Sequence, residues 1–170
     1  MENWYNSRME DRVARAKEII EKIIYLTVAT VSADGQPWNS PVYCAYDADY
    51  TFYWASWREN QHSKNIANNE KVFLVIYDST APEGTGEGVY IVAAASMVED
   101  PEEIEKASRL LAGRKNKTPK AAREFTGDYP RRIYKAVPEK VWINDGGDVS
   151  GNYVDVRHEL DLRLFFSDRA

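Results

Sequence analysis

The stretch LTVATVSADGQPWNSPV, from Leu26 to Val42, decides the fold class. Tyr25 to Val31 is rich in β-branched residues, which suit an extended strand. Ser32-Ala33-Asp34-Gly35 then supplies a turn with the Asp-Gly pair that tight hairpins favour. A second strand is predicted from about Trp38 to Tyr46. Its Pro41 has no N–H to give a ladder, so it must lie at an edge or a bulge. The chain therefore opens its β region with an antiparallel hairpin.

Upstream, Val13, Ala16, Ile20, Ile23 and Ile24 recur at roughly helical spacing among charged residues, which predicts an amphipathic helix over Met9 to Ile24. Downstream, Asp47-Ala48-Asp49 turns the chain into a third strand, Tyr50 to Ala55, and a short helix is expected over Gln61 to Asn68. Strands follow over Val72 to Tyr77 and Gly88 to Val98, separated by a Gly/Pro-rich loop from Asp78 to Glu87. Asp100-Pro101-Glu102-Glu103 is a helix start with a cap, a first-turn proline and dipole-matched acids, and that helix ends near Gly113. Thr118 to Phe125 is read as another short helix. Two strands are expected over Arg131 to Ala136 and Lys140 to Asn144, with Pro138 between them. Asn144 to Asn152 is then a Gly/Asp-rich loop, and Val154 to Phe166 receives no assignment. Hairpins, short spacings and peripheral helices point to a mainly β (α+β) antiparallel barrel or sandwich. With 170 residues, no internal repeat and no linker, one domain over 1–170 is expected.

The formal net charge of -5 and the shortness of the densest basic stretch, Arg114-Lys115-Asn116-Lys117 with Lys120 and Arg123, argue against nucleic acid as a partner. That stretch reads as a solvated linker. Cys44 is the one cysteine, which excludes an intrachain disulfide, and it reads as a small buried residue. No apolar run is long enough to span a bilayer and no signal-like segment opens the chain, so a cytoplasmic location and no membrane partner are expected. His62 and His158 share no ligand spacing, so no metal is expected. Gly84-Thr85-Gly86-Glu87-Gly88 leads into a strand rather than a helix, which is the wrong context for a dinucleotide loop.

The region that carries chemistry runs from Gly35 to Tyr90. A helix start with Lys64 and His62 near it offers backbone N–H groups and charge to a phosphate. Small residues at Ser40, Ala55 and Ser56 leave room for a flat ring against strand backbone.

Three segments resemble the pyridoxamine 5'-phosphate oxidase-like, flavin-binding split-barrel family. They are the hairpin Leu26–Val42, the strand and helix Phe52–Ser56 and Gln61–Val72, and Val75–Pro82 leading to Gly86–Ile91. The resemblance implies a six-stranded antiparallel split β-barrel and a homodimer with one FMN at each of two interface sites. Carried over by position, Asn39, Ser40, Pro41 and Val42 would line the isoalloxazine edge. Trp54, Ala55 and Ser56 would touch the ring or ribityl chain, and Gln61, His62, Ser63 and Lys64 would surround the phosphate. Trp142 would reach the partner's flavin.

Two departures bear on activity. Ser40 and Ala45 stand where classical members carry Arg and Lys, and the tail from Asp161 to Ala170 lacks the arginine-containing substrate signature. The expected function is an FMN-dependent oxidoreductase acting on a small molecule other than vitamin B6. Deazaflavin F420 is an alternative cofactor, and a non-catalytic flavin or heme module is the alternative of a different class. No catalytic acid or base is singled out.

Overall fold

A computed structural model describes residues 2–149 and 152–166, with side chains over 7–144 and 156–166. The hairpin forms as its turn chemistry dictates. β1 (Tyr25–Val31) pairs with β2 (Pro37–Tyr46) from Tyr25 opposite Tyr43 to Val31 opposite Pro37. Gly35 takes the φ of 85° that the turn requires and that a side chain would strain. β1 pairs on its other edge with β4 (Lys71–Tyr77), which pairs with β5 (Gly88–Met97), and β5 with β6 (Arg131–Val149). β2 pairs with β3 (Phe52–Trp57), and β3 returns to β6 from Phe52 opposite Ala136 to Trp57 opposite Arg131. Six strands thus close in the order β3-β2-β1-β4-β5-β6, every pairing antiparallel, and β7 (Asn152–Glu159) extends β6.

Inward-facing residues alternate along the barrel strands where their side chains are described. Leu26, Val28, Val42, Phe52, Trp54, Leu74, Ile76, Ile91 and Ile143 fill the barrel. α1 (Glu2–Lys22) seals one end with Val13, Ala16, Ile19 and Ile20, beside Phe165 of the short α4 (Leu162–Phe165). α2 (Gln61–Asn68) brings Ile66 to the same core, and its buried Asn65 donates to Thr30 of β1 at 2.9 Å.

A second core lies outside the barrel wall. α3 (Pro101–Gly113) sets Ile104, Ala107 and Leu111 against Ala45, Tyr53 and Ile133 on β2, β3 and β6. A partly buried polar bridge pins it there. Asp47 accepts from Lys106 at 2.6 Å and from Tyr53 Oη at 3.2 Å, while Lys135 pairs with Glu103 at 2.8 Å. Among the described residues, no helix covers the outer faces of β4 and β5, although Arg157 lies 3.9 Å from the Tyr90 ring centre. Ala29, Phe73, Val75, Tyr90 and Val92 belong to neither core and stay partly exposed.

Several elements differ from the sequence expectation. α1 begins at Glu2 rather than Met9, because its first turns meet no breaker yet show no apolar period. Tyr50 adopts φ 54°, held by Asp47 accepting from the N–H groups of Asp49 and Thr51, so the third strand starts at Phe52. The helix expected from Thr118 shortens to a 3-10 turn at Ala122–Phe125. The two late strands are one, because register slips beside Pro138. Lys140 faces Val92 and Pro138 faces Ala93, so Glu139 is the extra residue of a bulge that spares the proline a ladder bond. The supposed loop from Asn144 is the end of β6, paired from Trp142 onward with β7.

Candidate functional site

The β2–β3 pairing is short, and the site follows from that. Only Cys44, Ala45 and Tyr46 face β3, opposite Trp54, Tyr53 and Phe52. Beyond Trp54 the strands part. β3 continues on β6, and Pro41 and Val42 continue on β1. The parting opens a groove of about 500 Å³ whose floor includes Pro41, Val42, Ala55, Ser56 and His62. Tyr43, Trp57 and Phe125 form its aromatic walls.

A chain of hydrogen bonds runs beneath it. Trp38 Nε1 donates to Ser40 Oγ at 3.1 Å, and Asn60 Nδ2 donates to Ser56 Oγ at 2.9 Å. Between the two serines, His62 meets Ser40 through Nδ1 at 3.1 Å and Ser56 through Nε2 at 2.7 Å. His62 is 6% exposed, and burial holds its pKa below the ordinary histidine value.

The opposite rim is basic. Lys115, Lys117, Lys120 and Arg131 all line the groove. The segment that carries the lysines is fixed at both ends. Arg114 donates to the carbonyls of Ile20 (2.9 Å), Glu21 (2.6 Å) and Cys44 (3.2 Å), which caps the C-terminal end of α1. At the far end Ser108 Oγ donates to Lys120 O at 2.7 Å and accepts from Lys120 N at 2.9 Å. Lys117 N closes the turn on Ala112 O at 3.0 Å, with Asn116 at φ 51°. Lys115 Nζ stands 3.4 Å from the centre of the Tyr43 ring. Its pKa is below the usual lysine value, first through burial and then through repulsion from Lys117 and Arg131. Among the described residues, no carboxylate pairs with Lys115, Lys117 or Arg131, whereas Lys120 pairs with Glu124 at 3.1 Å.

Of the twelve residues expected at a flavin, the structure gathers Pro41, Val42, Ala55, Ser56 and His62 in this groove, with Ser40 joined through His62. The others lie elsewhere. Asn39 is exposed on the outer face of β2, opposite Ala29. Trp54 points into the barrel, fully buried and stacked on Tyr134 at 5.9 Å, because strand alternation turns it away from the side that Ala55 takes. Gln61 is exposed and donates to Asn65 at 2.8 Å. Ser63 and Lys64 face a separate groove of about 870 Å³ on the other side of α2, where Lys64 pairs with Glu59 at 3.3 Å. The juxtaposition of Lys64 and Ser56 expected from sequence is therefore absent. Trp142 is partly exposed on the outer sheet face, between Tyr90 and Glu159.

The basic segment read as a linker is instead a wall of the groove. Its charge was visible in sequence, but only α3 and its anchors bring it over β2. Ala45, at a position where classical members carry a cation, is buried under α3. Among the described residues, no group of His, Cys, Asp and Glu is arranged to hold a metal ion, and no helix is long and apolar enough to cross a membrane.

Comparison with known proteins assigns the family. Residues 13–145 match pyridoxamine 5'-phosphate oxidase. The chain belongs to the pyridoxamine 5'-phosphate oxidase family. Solved structures share the fold at low identity. A putative 5-nitroimidazole antibiotic resistance protein from Bacteroides thetaiotaomicron aligns with a TM-score of 0.64 and 18% identity, over 76% of this chain and 81% of that one. A putative pyridoxamine 5'-phosphate oxidase from Listeria innocua gives 0.60 and 20%, over 77% and 96%. A heme binding protein from Mycobacterium smegmatis gives 0.67 and 17%, over 93% of this chain but 60% of that one. No curated protein sequence matches significantly.

Proposed function

We propose that the groove between β2 and β3 binds FMN, and that the chain is a cytoplasmic flavin-dependent oxidoreductase acting on a small molecule as a homodimer. The observation that carries this reading is the meeting, in one groove, of a polar-floored slot with three cations that have no carboxylate partner among the described residues. Like charges held together in a protein of net charge -5 cost free energy, which a bound anion would relieve. The small Ala55 and the ring of Pro41 leave space for a planar group, and Tyr43 and Trp57 offer faces for stacking. Lys115, Lys117 and Arg131 would hold the phosphoryl group, the role that Lys64 has in the sequence expectation. Bound FMN would supply the electron chemistry, and the chain would hold and orient it.

Deazaflavin F420 is the second reading, favoured by the fourth cation, Lys120, and by the breadth of the basic rim. Heme is the ligand named for the Mycobacterium smegmatis neighbour. Heme normally takes an axial ligand, but both ring nitrogens of His62 are engaged with serines, which supports flavin instead.

The homodimer draws support from the partly exposed Phe73, Val75, Tyr90 and Val92, an apolar face on the outer side of β4 and β5, with β4 paired to β1, the strand of Tyr25 in the groove. A second copy covering that face would carry Trp142 toward its partner's groove.

Titrating the purified protein into FMN tests the reading through quenching of flavin fluorescence, followed by bleaching with NADH or NADPH and reoxidation in air. Preferential binding of F420 would select the second reading. A Soret band with hemin and no response to either flavin would overturn both. Sedimentation as a monomer at micromolar concentration would remove the homodimer.

A further inference from the structure

The hydrogen bonds around His62 obey a proton count that determines what the residue presents to the groove. Ser40 Oγ already accepts from Trp38, and Ser56 Oγ already accepts from Asn60. A neutral imidazole has one N–H and one lone pair. One serine must therefore give its hydroxyl proton to the ring, and only the other can donate elsewhere. An imidazolium donates from both nitrogens, so both serines accept from it and both hydroxyl protons are released.

Charged groups line the groove and the helix that carries this ring. Across the groove stand Lys115, Lys117, Lys120 and Arg131. On its own helix and the loop before it are Arg58, Glu59 and Lys64, with Glu59 engaged by both Arg58 (3.5 Å) and Lys64 (3.3 Å). β2 and β3 contribute no carboxylate to the groove. Burial opposes a positive charge at His62, and an anion seated in the groove that His62 lines would offset that opposition.

We propose that His62 takes up one proton from solvent when an oxyanion binds in the groove, releasing the hydroxyl protons of Ser40 and Ser56, of which Ser56 lines the groove and becomes a donor to the bound anion. The inference rests on the reading that the groove holds an anionic group, whichever cofactor carries it. No covalent bond is made or broken, and the proton returns to solvent when the anion leaves.

Sulfate is the probe, because it stays a dianion across the pH range, so any pH dependence belongs to the protein. The histidine resonances are followed by proton–carbon NMR from about pH 5 to 8.5, in sodium chloride and in saturating sodium sulfate at equal ionic strength. The His158→Gln variant identifies His62, since the chain has two histidines. Calorimetry in two buffers of different ionisation heat counts the protons taken up by the wild-type chain, without any variant. The expected result is a rise in the His62 midpoint of about one pH unit or more, equivalent to about tenfold tighter sulfate binding below the titration than above it. A midpoint that moves by less than about 0.3 units, or calorimetry showing no proton uptake, overturns the proposal. FMN binding with an unmoved His62 would sink this inference alone. A His62 that responds to sulfate in a chain that binds no FMN would sink the flavin reading alone.

Discussion

Replacing Lys115 with Met separates the structural account of the site from the one expected from sequence. Among the described residues Lys115 has no carboxylate partner, and it rests 3.4 Å from the Tyr43 ring centre, so its removal disrupts no ion pair among them. The cation–π attraction to Tyr43 is worth about 0.5–1 kcal/mol at an exposed site, and relief of repulsion from Lys117 and Arg131 offsets part of its removal. Folding stability should therefore change by less than about 1 kcal/mol. A charge-assisted bond to a phosphoryl group contributes about 1.5–3 kcal/mol, and solvent at the rim draws that toward the lower end. FMN affinity should fall by about tenfold to thirtyfold, because about 1.4 kcal/mol is a factor of ten. Lys64→Met is the paired control. That side chain pairs with Glu59 at 3.3 Å in the other groove, so FMN affinity should stay within about twofold of wild type. The assay is fluorescence quenching at fixed ionic strength, with urea melts on the same samples. Weakening by Lys64→Met with no effect of Lys115→Met would refute the assignment of the basic rim.

Asp47→Asn should destabilise the fold by about 1–3 kcal/mol in urea melts, since it strips the buried charge from Lys106 and one acceptor from Tyr53; an unchanged midpoint would remove the polar bridge from the attachment of α3. Burial pushes the Cys44 thiol up to about 12, so at about pH 8 it stays protonated and should resist iodoacetamide until denaturant is added. Rapid labelling of the native protein would contradict its placement in the barrel. His62 also sets a pH trend in the absence of ligand. Its folded pKa is depressed, so the unfolded chain binds more protons between the two values. Stability is complete above about pH 6.5 and declines as pH falls from there to the folded pKa. His62→Gln should flatten that part of the stability curve, and an unchanged slope would show that burial does not govern the titration.

What sequence could show divides along a physical line. Features written within a few neighbouring residues were legible. The β1–β2 hairpin was marked by its β-branched run and Asp-Gly turn, α2 by its span Gln61–Asn68, and the α3 start by Asp100, whose carboxylate accepts from Glu103 N at 3.1 Å. Features that depend on distant partners were not. Pro138 looked like the end of a strand, because the bulge that accommodates it is a property of the β5–β6 register. The Gly/Asp-rich run after Asn144 looked like a loop, because its partner, β7, carried no recognisable signal of its own. In the site, proximity in sequence misled in the same way. Lys64 follows His62 by two positions, but on a helix that spacing places them on different faces, so the cation beside the imidazole comes from elsewhere.

The groove exists because β2 and β3 cannot stay paired, and Pro41 shows why the sequence tolerates it. A closed barrel with every backbone group in a ladder would leave no concave surface between these strands. β3 pairs with β6 beyond Trp54, and β2 pairs with β1, so the backbone on each side of the seam keeps a ladder partner on one edge. Pro41 lines that seam and has no N–H to be stranded, while Ser40 and Ser56 line up with the His62 ring. The exposed seam is then bounded by the segment after α3, which the Arg114 bonds to three carbonyls fix in place. Binding capacity thus comes from a local failure of strand pairing, and the ligand's charge preference comes from an element distant in sequence. Filling the seam offers a direct check: Ala55→Trp, which sets a bulky ring on the exposed side of β3 that lines the groove, should abolish FMN binding while urea melts show the fold intact. Full binding by that variant would place the flavin somewhere else on the molecule.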